Sequence, residues 1–269
     1  MKEKASSRIR YYENSQGPVI GTCNEKVIRE DGLYFRDING DGKLNTYKDW
    51  RKSPEERAKA LAEDLSAEEK IGLLFLNSWK MGMEQEDKDF VDETGLLDEK
   101  PVEKGSSIFA TSSTVGTTET IKDWKVRTFI LRSNPKPDEL ADWINEMNSL
   151  AEEGEHFIPV MVVSNSRNEN GEVVFGMNDA SGVFAAWPGT MGIAAAVKGD
   201  GIHIIDDFAD CIRREWDAVG MKKGYMYMAD CATDPRWQRT YGTFGEDSKL
   251  IREIFEHLIP GVQGSQEGL

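Results

Sequence analysis

Cysteine is scarce in this chain of 269 residues. There are three, Cys23, Cys211 and Cys231. An odd count at wide spacing points to neither a disulfide framework nor a thiolate zinc site. Histidine is as scarce. His156, His203 and His257 stand far apart, and no HExxH, HxH or CxxC occurs. Each therefore reads as a surface or hydrogen-bonded side chain rather than a metal ligand. Neither GxGxxG nor GxxxxGK(S/T) is present, so no nucleotide-phosphate loop is indicated. Positive charge is in deficit, with 33 Lys and Arg against 48 Asp and Glu and a net charge of -15. With no basic stripe, nucleic acid and anionic membranes are poor partners. Long apolar runs are missing too. The opening MKEKASSRIRYYENS carries positive charges without an apolar core, and no stretch is long enough to span a bilayer. The expected location is the cytoplasm.

What is present is a globular composition. Hydrophobic residues make up 39% and charged residues 30%, with seven Trp and eleven Phe. That supports a sizeable core in one large domain or two small ones.

Residues 37–48 read DINGDGKLNTYK. Asp37, Asn39, Asp41 and Asn45 occupy the first, third, fifth and ninth places of a calcium loop of the EF-hand kind, and Gly42 allows its sharp turn. The twelfth place, which should supply a bidentate carboxylate, is Lys48. Two readings stand: a structural calcium site on Asp37, Asn39, Asp41 and Asn45, or an Asx-rich turn that uses the same side chains without the ion.

Two capping boxes follow, Ser53-Pro-Glu-Glu56 and Ser66-Ala-Glu-Glu69, and predict two short helices joined at Ser66. Ala58, Leu61, Ala62 and Leu65 form an apolar face on the first; the second carries Ile71, Leu74 and Phe75. From Glu84 to Lys104 there are nine acidic and three basic residues. That composition reads as a solvated, mobile segment. Beyond it the pattern becomes strand and helix in alternation. VRTFIL (126–131) and IPVMVV (158–163) read as strands, the second buried on both faces. Residues 138–152 read as a helix with Leu140, Trp143, Ile144, Met147 and Leu150 on one face. Ile205, Phe208, Ala209, Ile212 and Trp216 mark another helix, stopped by Gly220. YMYMA (225–229) reads as a third strand, and residues 248–258 as a last helix. Such an order implies an α/β fold of parallel βα units. Functional residues then gather after the strand ends, in the loops 164–171 and 230–247.

The second loop is the specific one. ADCATDPRWQRTYGTFGED resembles the DPRWGR…ETFGED signature of glycoside hydrolase family 3, the β-glucosidase family. SAEEKIGLL resembles an early helix of that family, and AAWPGTMGIAAAV its FPxxLGLAAT segment. IPVMVVSNSRNENG sits where the family has a strand and a sugar-binding loop. DINGDGKLNTYKDW resembles the lead-in of one branch. The resemblance implies the N-terminal portion of a (β/α)8 TIM-type barrel with a helical lead-in. The lead-in would be residues 1–105, with the calcium-like loop, two helices and the acidic segment. The partial barrel would be residues 106–269, and the two together one structural unit.

The resemblance also implies a retaining glycosidase mechanism, with two carboxylates about 5–5.5 Å apart and no cofactor. Carried over, the substrate-binding residues are Arg239, Asp230, Asn165, Arg167 and Asp234. Arg239 matches the arginine that binds sugar hydroxyls. Asp234 would cap its turn or orient a neighbouring arginine. The family's sugar-binding Asp after the second strand is replaced here by Asn165 or Ser166. The family's Lys-His pair and its nucleophilic Asp have no counterpart in this sequence, so the nucleophile and acid/base are expected beyond Leu269, and the chain alone is expected to be inactive. The partners implied are a β-glucoside or oligosaccharide. The alternative is a non-catalytic sugar-binding or structural half-barrel, self-associated or completed by another chain.

Overall fold

The computed structural model describes residues 5–87, 90–99, 115–132, 135–165, 168 and 184–265. The chain opens with a short helix α1 (Ala5–Arg8) and the antiparallel pair β1 (Arg10–Tyr12) and β2 (Ile20–Thr22). A hairpin follows, β3 (Val27–Glu30) and β4 (Leu33–Arg36). Its two-residue turn is Asp31-Gly32, with φ of 53° and 79°. Positive φ at both places is the turn that matches strand twist, and Asp-Gly is the pair that tolerates it.

Both capping boxes form as read. Ser53 opens α2 (Pro54–Asp64) and Ser66 opens α3 (Ala67–Leu73), each with the reciprocal Glu at the third position. Of the apolar faces expected of these helices only Leu65, at the end of the first, is buried. No residue of α2 is buried, and Leu74, just beyond α3, is 85% exposed. The acidic segment expected to be mobile is instead paired over much of its length. Strands β6 (Met81–Asp87) and β7 (Phe90–Leu97) form an antiparallel ladder with two register shifts. Main-chain pairing absorbs the polar composition, because a ladder's hydrogen bonds do not depend on side-chain type. The expected boundary at residue 105 lies outside the described residues.

The remaining elements are β5 (Leu76–Trp79), α4 (Thr117–Lys122), β8 (Thr128–Leu131), α5 (Pro137–Glu152), β9 (Met161–Ser164), α6 (Thr190–Asp200), α7 (His203–Val219), β10 (Lys223–Gly224) and α8 (Ser248–Gln263). One sheet has the order β10-β9-β8-β5, and β10 runs parallel to β9. The strands neighbour one another in chain order and helices separate them, as in the successive βα units of a barrel. The α/β class and the barrel-type arrangement are as expected.

Contacts divide the chain into two compact units, Met1–Phe129 with Asp138–Met161, and Ile130–Pro137 with Val162–Leu269. In the first, α5 buries Leu140, Trp143, Ile144 and Met147, the stripe its periodicity predicts. In the second, α7 buries Ile205, Phe208, Ala209, Ile212 and Trp216, and it ends on Gly220 in the left-handed conformation.

One strand is misplaced by the sequence. Residues 225–229 do not form a ladder. The strand is Lys223–Gly224, and Met228 makes only an isolated bridge to Thr243. The alternation of YMYM reflects ring packing rather than a pleat. Tyr227 lies between Phe208 and Phe244, at 5.8 and 5.9 Å between ring centroids, while Tyr225 is exposed.

Candidate functional site

The second unit carries both polar loops. The ladder between β9 and β10 ends at Ser164 and Gly224, and the Tyr225 N–H extends it by donating to the Ser164 carbonyl at 2.7 Å. Asn165 follows β9 directly and is half-buried. Arg167 and Ser166 lie outside the described residues. Asp230 stands six positions past the end of β10, not at the strand end expected of it, and its carboxylate is exposed.

Loop 230–247 closes on itself at its neck. The Ala232 N–H donates to the Gly245 carbonyl at 2.9 Å, and Met228 bridges Thr243. Phe244 fills the space beneath, buried at 1% exposure, against Phe255 at 5.8 Å. Thr190 fixes the loop from α6, its Oγ1 donating to the Tyr241 carbonyl at 2.9 Å. Within the loop, Asp234 accepts from the Arg236 N–H at 2.9 Å, from Arg236 Nε at 2.9 Å and from Arg236 NH2 at 2.5 Å. The Arg236 hydrogen bonds hold the Asp234 carboxyl below the usual carboxylate range. Both oxygens of Asp234 are thus taken by the neighbouring arginine.

Arg239 differs. It is exposed, and its guanidinium has no hydrogen-bond partner among the described residues. The loop therefore holds one arginine committed to its own turn and one whose five N–H donors meet no partner among the described residues, the fork suited to vicinal hydroxyls or a carboxylate.

A cluster that sequence reasoning missed ties the stem of the first loop to α7. Asn168 is fully buried. Its Nδ2 donates to Glu215 Oε2 at 2.5 Å, and its Oδ1 accepts from Trp216 Nε1 at 3.1 Å. Its carbonyl accepts from the Trp187 N–H at 2.6 Å. Glu215 also accepts from the Ala185 N–H at 3.0 Å. One helical turn thereby clamps residue 168 to residues 185–187. No local pattern joins positions so far apart in the chain.

The histidines are hydrogen-bonded, as read. His257 Nδ1 lies 2.8 Å from Asp206, and His156 lies between Glu69 and Asp64. Among the described residues no group of three or more His, Cys, Asp and Glu is arranged to hold a metal ion. The loop residues Asp37, Asn39, Asp41 and Asn45 form an Asx-turn network. Asp37 accepts from the Gly40 and Gly42 N–H groups at 3.1 and 2.9 Å, and Asp41 accepts from the Lys43 N–H at 2.8 Å. Asn45 Nδ2 donates to Asp41 at 3.2 Å.

Residues 97–267 match the glycosyl hydrolase family 3 N-terminal domain. The chain is 33% identical over 256 residues to the periplasmic beta-glucosidase/beta-xylosidase of Dickeya chrysanthemi, covering 94% of this chain and 35% of that protein. It is 29% identical over 248 residues to beta-glucosidase C of Emericella nidulans, covering 92% of this chain and 34% of that one. The fold is similar to that of a glycoside hydrolase family 3 beta-N-acetylglucosaminidase from Paenibacillus sp. str. FPU-7, with a TM-score of 0.51 and 20% identity over 75% of this chain and 31% of that one. The chain spans about a third of the length of the curated relatives it matches. The Dickeya relative is a periplasmic protein, and this overturns the expectation of a cytoplasmic location. A leader is read from residues that a mature or partial sequence does not carry, so an opening stretch without one decides nothing. The match over 97–267, the identity to the Dickeya enzyme and the sequential βα sheet agree: the chain belongs to glycosyl hydrolase family 3, through its N-terminal domain.

Proposed function

We propose that this chain supplies part of the sugar subsite of a retaining β-glucosidase, in the periplasm or outside the cell. The lead-in (1–105) supports a barrel portion (106–269) whose polar loops face the sugar. Arg239, with Asp230, Asn165 and Arg167, hydrogen-bonds the hydroxyls of a β-glucoside or short oligosaccharide, and Asp234 acts by fixing Arg236. The nucleophile and acid/base belong to residues outside 1–269. The observation that carries this reading is the contrast between Arg236, whose donors Asp234 takes, and Arg239, exposed in the same loop. Hydrogen bonds from an arginine carried on that loop can strengthen as charge builds on the sugar ring.

Thermal unfolding tests the subsite. A ligand that binds only the native state raises Tm. Glucose or its lactone should raise Tm of the purified chain, and Arg239→Ala should abolish the shift. No shift at saturating sugar removes the reading. The chain alone should not turn over an aryl β-glucoside. Turnover that Arg239→Ala eliminates would place the nucleophile within these residues.

A second reading, a half-barrel completed by another chain or another copy, is favoured by one observation. Ile71, Leu74, Phe75 and Leu76, close together in sequence, are all exposed, and apolar surface of that kind often marks an interaction site.

A further inference from the structure

The loop at residues 37–48 is the sequence motif that the sugar subsite leaves unused. In a calcium loop the ion is met by side-chain oxygens from the first, third and fifth places and by the main-chain carbonyl of the seventh. Here those places hold Asp37, Asn39, Asp41 and Lys43, and Lys48 stands at the twelfth. The Lys48 side chain is wholly buried, at 0% exposure. Its Nζ donates to Asp37 Oδ1 at 2.7 Å, to Asp41 Oδ1, and to the Lys43 carbonyl at 2.9 Å. An ammonium has three N–H donors and no acceptor, so three oxygens satisfy it completely. The three it uses come from the first, fifth and seventh places.

We propose that the Lys48 ammonium is a tethered cation at the centre of a calcium-type oxygen shell, so that the loop closes without a metal and accepts calcium only when Lys48 is replaced, most tightly by a carboxylate.

Geometry makes the two occupants exclusive. Calcium sits about 2.3–2.6 Å from each ligand oxygen. An ammonium hydrogen-bonded to the same oxygens fills that space and repels a second cation. Charge agrees. Two carboxylates face one ammonium, which gives a buried Lys the partners it needs, and the ammonium holds the Asp41 carboxyl far below its ordinary range.

The shell is also joined to the rest of the lead-in. Asn45 Nδ2 lies 3.2 Å from Asp41 and 3.1 Å from the Tyr47 hydroxyl. That hydroxyl donates to Asp64 at 2.7 Å, and Asp64 meets His156 at 3.1 Å. The Phe157 N–H donates to the Ile38 carbonyl at 2.8 Å. A cation fixed in the chain thus keeps the loop, α2 and the stretch after α5 in register whatever the metal concentration.

The test compares the wild-type chain with Lys48→Glu and Lys48→Gln, each measured in chelator and in millimolar calcium at matched ionic strength. The wild-type Tm should be the same in both, and terbium luminescence sensitised by Tyr47 should stay at background. Lys48→Glu should unfold at lower temperature in chelator and recover in calcium but not in magnesium. It should also bind terbium, which calcium displaces, at least about tenfold more tightly than the wild type, since a bidentate carboxylate completes the shell. Lys48→Gln, which is neutral and has no charge to repel or attract a cation, should lose Tm and show an intermediate calcium response. Calcium-dependent Tm or calcium-competed terbium binding in the wild type overturns the proposal. So does a folded Lys48→Glu that ignores calcium, or, if Lys48→Glu does not fold at all, a Lys48→Gln chain with unchanged Tm and no response.

Discussion

His156 shows how much of this chain is decided by single side chains. Its Nδ1 lies 3.0 and 3.1 Å from the two oxygens of Glu69, and its Nε2 lies 3.1 Å from Asp64. Tyr47 adds a hydrogen bond to Asp64, and burial together with that bond pushes its phenol up to about 12. Burial alone would raise the Glu69 carboxyl. The hydrogen bonds from Ser66 and His156 outweigh it, and the net shift is below the ordinary 4.5. Asp64 is lowered from 3.8 by the Tyr47 and His156 bonds. Depressed folded values mean that these carboxylates bind protons more readily in the unfolded chain. Their stabilisation is present above about pH 4.5 and is lost as pH falls through the lower folded values. Tm should therefore drop on acidification below about pH 4.5, and His156→Ala should shallow that drop. At pH 7 the same variant should cost about 2 kcal/mol, because it leaves Glu69 buried with fewer partners. Unfolding curves across pH measure both. The second case is Asn168. Asn168→Ala strands the Trp216 indole N–H in a buried site and should cost about 1–3 kcal/mol, read as a lower midpoint in denaturant. Neither cluster was legible in the sequence. Positions 64, 69 and 156 have no common spacing, and Asn168 looked like one polar residue among many.

At the scale of elements, the two capping boxes make a controlled pair. Local chemistry is the same in Ser53/Glu56 and Ser66/Glu69, but Glu69 is buried against His156 and Glu56 is exposed. Ser53→Ala should cost about 1 kcal/mol, as a cap does. Ser66→Ala should cost more, since the Ser66 hydroxyl also helps fix Glu69. Equal losses in thermal unfolding would show that the buried network adds nothing. These caps, and the stripes on α5 and α7, were readable because their signals lie within one or two turns of helix. Asp31-Gly32 was just as strong a local signal, and the β3–β4 hairpin it forms went unread inside a stretch of mixed polarity. Tyr225 to Ala229 failed for the opposite reason. Alternation was present, but rings from α7 and from loop 230–247 set it, and a ladder needs a partner strand that the sequence does not reveal.

For the whole molecule, the barrel-type order of strands was legible through motifs rather than periodicity, because the loop 230–247 carries a dense signature and β10 only two residues. The acidic balance has its own consequence. A chain at -15 repels itself when compact. Raising ionic strength from a few millimolar to about 0.15 M shortens the screening length to about 8 Å and should raise Tm. A fall in the same titration would mean that ion pairs such as Lys122–Glu153 outweigh the repulsion. If the exposed residues around Leu74 meet another chain, sedimentation should show concentration-dependent association that Leu74→Ser weakens. A single invariant monomer peak would remove that reading.

The neck of loop 230–247 is sealed by main-chain bonds and Phe244 is its plug, so the exposed residues outside the Asp234–Arg236 pair are relieved of structural duty. Such a loop behaves as a cassette. Its tip can be exchanged for that of a relative while the host's unfolding temperature stays where it was.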